Sequence, residues 1–401
     1  MHDIQQIVRF DHHSPEYQSC FREIIEDLQK NSPVAYSEAH GGFWIVTRYD
    51  DVKHIGENWE QFSSENRVAQ NDPTRRGVMI PQLARQLTLN ENDPPLHTQR
   101  RMIVTPYFAP KYLSKWVQAA AHYTARAFDD IIESGKVEFI DDICLRIPAM
   151  TTLHVAGVDP EEWQLYTRPA TFYGPDGAER AQAEIMDKLA HVLEERRREP
   201  RIDIASALAN AVIDGEPMPT EVAAGMLHTI VTGGFDTATA MFTTTLGWLS
   251  NNPDRRQHLR EHPELHENAV EEFLRMFTPL HNLARSVTQD LELRGQHLKA
   301  GDRVLMSLYG ANHDPLKFSD PYVIDFERDN ARDHVSYSSG NHRCLGSPLA
   351  RLELRHLLGQ VLERIPDFTV DWSRSVRNAT IGVIDGWDRM HATFTPGPKS
   401  A

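Results

Sequence analysis

The sequence feature that most constrains the fold is one long helical segment in the second half of the chain. Apolar residues recur at spacings of three and four from Val222 to Leu249, which is the period of an α-helix. Thr220 is placed to cap its N-terminus, and Pro253 ends the segment. A helix over Glu221–Asn251 would be about 46 Å long at roughly 1.5 Å per residue. We therefore expect a long central helix within a large domain.

The composition is that of a globular protein rather than a disordered or membrane chain. The 401 residues are 40% hydrophobic and 25% charged, and no run of 18 apolar residues suggests a membrane span. The formal net charge of −15 argues against nucleic acid as a partner, because nucleic-acid footprints are basic. Residues 1–10 lack an apolar leader. We expect a cytoplasmic, monomeric protein that forms a single domain over residues 1–401, since no linker-like stretch divides it.

Helical patterns dominate from about residue 97 to 280, and strand patterns occupy both ends of the chain. Two β-prone runs between residues 34 and 48 flank Gly41-Gly42 and predict a hairpin. Further strands are expected between residues 291 and 308 and in the tail after Phe368. The predicted fold class is mainly α with smaller β-sheets (α+β).

The centre of the long helix breaks several local rules at once. Gly233 and Gly234 are adjacent, and each costs a helix roughly 1 kcal/mol relative to alanine. Asp236 and Thr237 follow, and a carboxylate among apolar neighbours is expensive unless it has a partner. Such failures cluster at functional sites, where glycines would let a flat ligand approach. A tightly packed core helix with a satisfied Asp236 explains the pattern equally well.

One of the three cysteines differs from the other two. Cys344 lies between Gly340 and Gly346 in a loop that opens an apolar helix. The N–H groups and dipole at a helix N-terminus stabilise a thiolate, so Cys344 is either a nucleophile, with His342 as a nearby base, a metal ligand, or a buried structural residue. Cys20 and Cys144 are expected to be packing residues.

Together with an ion-pair pattern, these segments resemble the cytochrome P450 family of haem-thiolate monooxygenases, of the soluble bacterial type. The cysteine loop is similar to the family signature, although Tyr337 replaces its Phe and Ser338 its first Gly. The helix centre resembles the family's oxygen-activation motif. Further motifs in the family's order are Glu272 with Arg275, the third ion-network member Arg328, the segment from Asp93 to Arg101, and Ala311 to Pro315.

The resemblance implies haem b as cofactor, with Cys344 as the iron ligand and Asp236 and Thr237 as the catalytic pair that supplies protons during oxygen activation. Glu272, Arg275 and Arg328 would form a structural ion network. The residues implied to bind the haem and its propionates are Cys344, His97, Arg101, Arg285, His334, Gly340, Gly346, Gly233 and Gly234.

The implied reaction inserts one oxygen atom of O2 into a C–H bond of a small or medium hydrophobic substrate, by hydroxylation or O-dealkylation. Substrate contacts are expected in residues 64–90, 165–185 and 379–390. The apolar candidates for the substrate pocket are Val231, Leu280, Leu283, Ile381 and Val383. Polar contacts could come from His281, Asn282 and Asp385.

No flavin or nicotinamide fingerprint occurs in the chain, so electrons must come from a partner. The resemblance implies an iron–sulfur ferredoxin served by a flavin reductase that uses NAD(P)H. Arg343, Arg351 and Arg355 surround the thiolate loop and are expected to form a basic docking patch.

Three alternatives remain open from the sequence. A peroxide-driven haem peroxygenase or isomerase would not need the Asp236–Thr237 pair. A non-catalytic haem sensor would not need a proton relay. A zinc enzyme is the third, because His258, His262 and His266 recur at four-residue spacing.

Overall fold

The computed structural model describes residues 6–83, 86–167 and 175–400, with side chains from residue 180 onward in the last range. Helices make up most of the described chain. Their bounds are α1 (Pro15–Asn31), α2 (Tyr49–Glu57), α3 (Leu96–Val104), α4 (Pro110–Ile131), α5 (Arg146–Ala156), α6 (Trp163–Thr167), α7 (Pro175–Arg198), α8 (Ile204–Ala209), α9 (Thr220–Asn251), α10 (Pro253–Glu261), α11 (His266–Phe277), α12 (Leu308–Asn312) and α13 (Ser347–Arg364).

The strands are short, and all but β5, β6 and β7 lie before residue 64 or after residue 281. Their bounds are β1 (Ile7–Val8), β2 (Val34–Ser37), β3 (Phe43–Val46), β4 (Phe62–Ser63), β5 (Lys136–Glu138), β6 (Val212–Ile213), β7 (Glu216–Pro217), β8 (Asn282–Val287), β9 (Leu291–Leu293), β10 (Gln296–Leu298), β11 (Arg303–Ser307), β12 (Thr369–Val370), β13 (Val376–Arg377), β14 (Trp387–Arg389) and β15 (His391–Thr393).

The main sheet joins segments that are far apart in sequence. Its strand order is β1-β2-β3-β11-β8-β4, in which β3 and β11 run parallel and β11 and β8 antiparallel. The predicted hairpin forms as β2 and β3, with Val34 opposite Val46. A second sheet has the order β12-β15-β5, and β6-β7, β9-β10 and β13-β14 form two-stranded pairs. The class expected from the sequence, mainly α with smaller sheets, is confirmed.

The long central helix is α9, and it packs against α5, α7, α11 and α13. Its N-terminal half contributes Val231 and Phe235 to one hydrophobic core, while its C-terminal half contributes Phe242 and Leu246 to another. Each fully buried side chain of this kind stabilises the fold by roughly 1.5–3 kcal/mol. Val231 and Phe235 lie on either side of the two glycines and belong to the same core, so the glycine-containing centre of the helix is held in place by its neighbours.

Two expectations about local structure need correction. Thr220 is already the first helical residue, and Pro219 occupies the cap position without a side-chain hydrogen bond. Cys20 is exposed on α1 rather than packed, whereas Cys144 is buried as expected.

Part of the expected substrate region 165–185 lies outside the described residues. Among the helices of the described residues, none combines the length and apolarity that a bilayer crossing requires.

Candidate active site

A largely apolar cavity lies between the centre of α9 and the cysteine loop that precedes α13. Cys344 opens into it from one side, and Gly233, Asp236 and Thr237 line the other side. The two motifs that the sequence singled out therefore face one another across a single space, although more than 100 positions separate them in the chain.

The cysteine loop presents the sulfur to the cavity. The N–H of Cys344 donates to the Tyr337 carbonyl at 2.8 Å, which closes the loop. The Cys344 side chain is exposed to the open cavity, but the surrounding protein partly desolvates its sulfur. Desolvation raises the pKa of the Cys344 thiol above its ordinary value, while the N–H groups of Gly346 and Ser347 and the charge of Arg101 oppose that rise. The sequence-based expectation of a lowered pKa is therefore wrong for the protein without a metal, because desolvation outweighs the helix terminus. A bound metal cation would displace the proton.

The two departures from the family signature have different structural consequences. Ser338 adopts a left-handed backbone with φ +56°, which a glycine would adopt without strain. Tyr337 is partly buried beneath the guanidinium of Arg351, whose central carbon lies 4.6 Å from the ring centroid. Gly340 (φ +67°) is required by packing, since a Cβ there would lie 2.1 Å from the Gly56 carbonyl oxygen. Gly340 thus shapes the loop rather than the cavity.

The catalytic pair lies on the cavity face of α9. The Thr237 hydroxyl donates to the Gly233 carbonyl at 3.3 Å, a weak bond at the limit of hydrogen-bond geometry. Burial raises the pKa of Asp236 to about 6. This carboxyl group therefore exchanges its proton close to neutral pH, as a group that transfers protons in a reaction requires.

The adjacent glycines have different roles. A Cβ at Gly233 would meet nothing within 4 Å, so this position is open to the cavity. A Cβ at Gly234 would lie 2.4 Å from the Thr152 hydroxyl oxygen and 2.5 Å from its methyl carbon. Both glycines line the cavity, where a flat ligand was expected to approach, and Gly234 in addition permits α9 to approach α5.

Basic side chains form one wall of the cavity. Arg285 and Arg101 line it directly, and so does His342. His97 lies one layer behind, with its ring centroid 4.0 Å from that of His342. Both ring nitrogens of His97 and Nε2 of His342 are buried without a partner among the described residues. Burial, with the charges of Arg101 and Arg285, lowers the pKa of His97 to about 4. Burial also lowers the pKa of Arg285 to about 10.

His334 does not belong to this wall, although the sequence placed it there. Its Nε2 donates to Glu271 at 3.1 Å, and its Nδ1 accepts from the Ser336 N–H at 3.2 Å. The same Glu271 accepts two bonds from Arg351, at 2.7 and 2.9 Å. His334 therefore has no ring nitrogen left for a propionate.

Arg351 is likewise held within the fold by Glu271 and is removed from the expected docking patch. The other two members of that patch, Arg343 and Arg355, are exposed.

The predicted ion network is assembled in the interior between α11 and the segment after α12. Glu272 accepts two bonds of 2.8 Å from Arg275 and one of 2.9 Å from Arg328. Arg275 also donates to the carbonyls of Asn312 and Pro321. Burial alone would raise the pKa of Glu272, but the bonds from both arginines outweigh it and lower the pKa.

The predicted substrate residues divide into two sets. Leu280, Leu283 and Val383 line the cavity. Val231 and Ile381 do not, because each is buried in a separate hydrophobic core. The three expected polar contacts are also outside the cavity lining: His281 is buried beside Tyr17 and Tyr309, Asn282 is buried in β8, and Asp385 is paired with Arg377.

The histidines that raised the zinc-enzyme alternative do not converge. His258 and His262 lie with ring centroids 4.5 Å apart, but Nε2 of His266 donates to the Leu259 carbonyl. Within the described ranges, the one group of three or more residues with metal-ligating atoms in reach of one another lies elsewhere in the chain, near the N-terminus.

Two ionisable residues of the cavity lining were not predicted as such from the sequence. His342 was considered only as a base for Cys344, yet its unpartnered Nε2 belongs to the basic wall. Glu353 lines the cavity from α13 and is fully buried, with Oε1 unpartnered among the described residues. Burial raises the pKa of Glu353 well above its ordinary value, which favours the protonated form of this carboxyl group. The sequence signal that could have identified Glu353 is its position between Leu352 and Leu354 in an apolar helix.

Comparison with known proteins agrees with this geometry. The cytochrome P450 family model matches residues 161–376. The linalool 8-monooxygenase of Pseudomonas putida is 30% identical over 399 residues, which cover 93% of this chain and 95% of that protein. Cytochrome P450 130 of Mycobacterium tuberculosis is 29% identical over 348 residues, covering 83% and 84% of the two chains.

Solved structures give the same result. Substrate-free CYP109E1 from Bacillus megaterium superposes with a TM-score of 0.83 at 26% identity and covers 94% of this chain and 98% of that one. A Mycobacterium marinum cytochrome P450, at 24% identity, has a TM-score of 0.85 and covers 97% and 99%, which bears on the fold alone.

The fold, the thiolate loop and the relatives together define a haem-dependent oxidoreductase. The chain belongs to the cytochrome P450 family, and its enzymatic class is that of a P450 monooxygenase. The residues present fit the haem group: a sulfur donor faces an apolar cavity, and the unpartnered nitrogens of His97 and His342 lie beside Arg101 and Arg285 where a dianionic cofactor edge needs cations.

Proposed function

We propose that this chain is a ferredoxin-dependent monooxygenase that holds haem b through Cys344. Arg101, Arg285 and His342 would bind the propionates directly, with His97 supporting His342 from behind. When bound, the haem supplies the oxygen-activating redox chemistry, and the protein supplies position, protons and water exclusion. The observation that carries the proposal is the Asp236–Thr237 pair across the cavity from the Cys344 sulfur.

The distal residues deliver protons in this scheme. The Thr237 hydroxyl is bound only weakly to Gly233, so it is free to turn and donate toward the cavity. Asp236, with its pKa of about 6, can release a proton near neutral pH and recover one from solvent. A peroxide-driven enzyme or a sensor would have no use for this pair, and for that reason we favour the monooxygenase.

The substrate is proposed to be a small or medium hydrophobic molecule, because Leu280, Leu283 and Val383 face the cavity. Hydroxylation of a C–H bond or O-dealkylation are the proposed reactions. The relative from Pseudomonas putida is named for linalool, which makes linalool a reasonable first probe. Binding is measured as the shift of the haem absorption band that accompanies a change in spin state.

The iron ligand is tested with two cysteine variants. The reduced protein with carbon monoxide should absorb at the long-wavelength Soret position of thiolate-bound haem. Cys344→Ser should abolish that band, whereas Cys20→Ser, at the exposed cysteine of α1, should keep it. Retention of the band in Cys344→Ser contradicts the assignment.

The reaction class is tested on α9. Thr237→Ala should consume NAD(P)H while releasing hydrogen peroxide in place of product. Thr244→Ala is the matched control, because Thr244 lies on the same helix and its hydroxyl donates to the Ala240 carbonyl, but it does not line the cavity. Product formation with peroxide and none with ferredoxin and reductase would favour the peroxygenase.

Electron delivery is tested at the thiolate loop. Arg343 and Arg355 are exposed there and are proposed to attract an acidic ferredoxin. The double variant Arg343→Glu/Arg355→Glu should slow reduction by roughly 10-fold or more at low salt and leave linalool binding unchanged. Arg198→Glu, at the exposed end of α7, changes the net charge by the same amount as either Arg343→Glu or Arg355→Glu alone and is the control for each of these single variants. Unchanged reduction kinetics in the double variant would rule out this docking site.

A further inference from the structure

A cluster of histidines near the N-terminus lies outside the haem cavity and has no role in the proposed reaction. Asp11 and His12 come from the segment before α1, and His40 comes from the turn between β2 and β3. One metal-ligating atom from each of the three lies within 4.8 Å of the others. Distant parts of the sequence thus bring together two imidazoles and a carboxylate.

The buried histidine of this cluster has a free nitrogen. His12 is 1% exposed, and its Nε2–H donates to the Ile80 carbonyl at 2.8 Å. The lone pair therefore resides on Nδ1, which is buried without a partner among the described residues. A histidine that binds a metal usually donates its other ring N–H to a backbone carbonyl or carboxylate in this way. The ring is thus already in a tautomer that leaves Nδ1 able to bind a metal ion.

The other two residues are held together at the surface end of the cluster. His40 Nε2 and Asp11 Oδ1 are 2.8 Å apart, and the same oxygen accepts the His13 N–H at 2.9 Å. Partial burial raises the pKa of Asp11, but the bonds from His13 and His40 outweigh it and lower the pKa. The carboxylate is therefore ionised. His40 has a left-handed backbone with φ +52°, which costs energy for a residue other than glycine.

We propose that Asp11, His12 and His40 bind one divalent transition-metal ion of the Zn²⁺ class, with water completing the coordination. Two imidazoles and one carboxylate are a typical donor set for such an ion, whereas Mg²⁺ and Ca²⁺ prefer oxygen ligands alone. A cation would replace the proton shared by His40 and Asp11 and would engage the lone pair of His12. His13 is adjacent, but it does not belong to the group whose ligating atoms converge, so it is not assigned as a ligand.

The position of the site gives it structural importance. The His12 carbonyl accepts the Gly382 N–H at 2.9 Å, and the His12 ring holds the Ile80 carbonyl. Val78 lies two residues before Ile80, and Ile384 lies two residues after Gly382. Both Val78 and Ile384 line the haem cavity. The ion would therefore brace two segments of the cavity wall against the N-terminal segment, without contact to the haem.

The test measures zinc on the haem-loaded enzyme. The protein is stripped with a chelator, dialysed against Zn²⁺ and analysed for zinc and iron in the same sample. We expect one zinc ion per chain in the wild type. His40→Asn and Asp11→Asn should each weaken zinc binding by more than the roughly 10- to 100-fold that outer-sphere partners cost, with iron content unchanged. Asparagine tolerates the left-handed backbone at position 40.

The matched control is His262→Asn. His258 and His262 form an exposed pair of neighbouring imidazoles that could bind zinc adventitiously. Zinc retention that is lost in His262→Asn but kept in His40→Asn would overturn the proposal, and so would a wild type that retains no zinc. The melting temperature provides a second measurement, because zinc should raise it in the wild type and in His262→Asn but not in His40→Asn. An equal rise in His40→Asn would also overturn the proposal.

Discussion

Two regions of buried charge in this protein differ in whether the chain satisfies them. The network around Glu272 is complete: the carboxylate has both arginines, and Arg275 spends its remaining N–H groups on backbone carbonyls. The basic wall of the cavity is incomplete. Among the described residues, the Arg285 guanidinium donates one hydrogen bond, to the Ala284 carbonyl, and neither ring nitrogen of His97 has a partner.

The difference separates charges that build the fold from charges that await a ligand. A buried polar group without a partner costs roughly 1–3 kcal/mol, so a folded chain retains several in one place only where something else compensates. His334 illustrates the distinction. The sequence placed it with the ligand-binding cations, but its bonds to Glu271 and Ser336 place it among the satisfied groups.

The largest effect is expected from breaking the satisfied network. Arg275→Ala should lower the free energy of unfolding by about 3 kcal/mol, because the buried carboxylate of Glu272 loses two charged hydrogen bonds and keeps only those from Arg328 and the Asp325 N–H. The control is Arg22→Ala, which breaks the exposed pair with Glu26 and should cost less than about 1 kcal/mol. Urea unfolding measures both. Equal losses would mean that burial and completeness of the network do not matter.

A smaller effect is expected at Asp236, which is a cavity group that carries an energetic cost. Its folded pKa of about 6 lies above the ordinary 3.8. The folded chain therefore keeps this proton between those pH values while the unfolded chain releases it, so the wild type loses stability as pH rises through that window. Relative to the wild type, Asp236→Asn should gain roughly 3 kcal/mol above about pH 6.

The measurement is the difference in unfolding free energy between wild type and Asp236→Asn across the pH range, which cancels the other titrating groups. Asp314→Asn is the contrasting variant. Asp314 is a buried carboxylate that accepts bonds from Arg48 and from the Tyr49 N–H, so its amide variant should lose stability. A gain in stability in both variants would contradict the distinction between the cavity carboxyl group of Asp236 and the hydrogen-bonded carboxylate of Asp314.

Two buried arginines on neighbouring strands test the comparison directly. Arg303 donates to the carbonyls of Arg76, Gly77 and Met79, whereas Arg285 faces the cavity. Arg303→Leu should destabilise the fold. Arg285→Leu should leave folding nearly unchanged, but it should release haem to an acceptor globin roughly 10-fold faster or more, since it loses a charged hydrogen bond. Haem loss that is equal in the two variants would argue against a propionate role for Arg285.

How far the sequence could predict this molecule depended on whether a property is local. The β2–β3 hairpin and the Glu272–Arg275 pair follow from turn residues and helical spacing, and both appear in the structure. The extent of α9 follows from periodicity, and the structure differs from it by one residue at the N-terminus. The distinction between Arg351 and Arg355, four positions apart on α13, does not follow from spacing. It depends on Glu271, which reaches Arg351 from another helix.

The substrate residues were hardest to predict for the same reason. Val231 and Ile381 are apolar, as a pocket requires, but the same residue types line cavities and fill hydrophobic cores. Which way each side chain faces is fixed by the packing of α9 and of the C-terminal segment against separate cores. The pKa of Cys344 was also misjudged, because the helix terminus is visible in sequence and the degree of desolvation is not.

The smallest expected effect separates the adjacent glycines of α9. Gly234→Ala inserts a methyl within 3.0 Å of three Thr152 side-chain atoms. Because a branched side chain has no route out of this contact, overpacking of about 1–3 kcal/mol should exceed the roughly 1 kcal/mol gained in helix propensity. Gly233→Ala meets no atom within 4 Å, so it should keep that gain and become more stable. Its methyl would instead enter the cavity and weaken the binding of an apolar probe such as linalool. If Gly233→Ala destabilises the fold and Gly234→Ala does not, then the packing face and the cavity face of α9 are assigned the wrong way round.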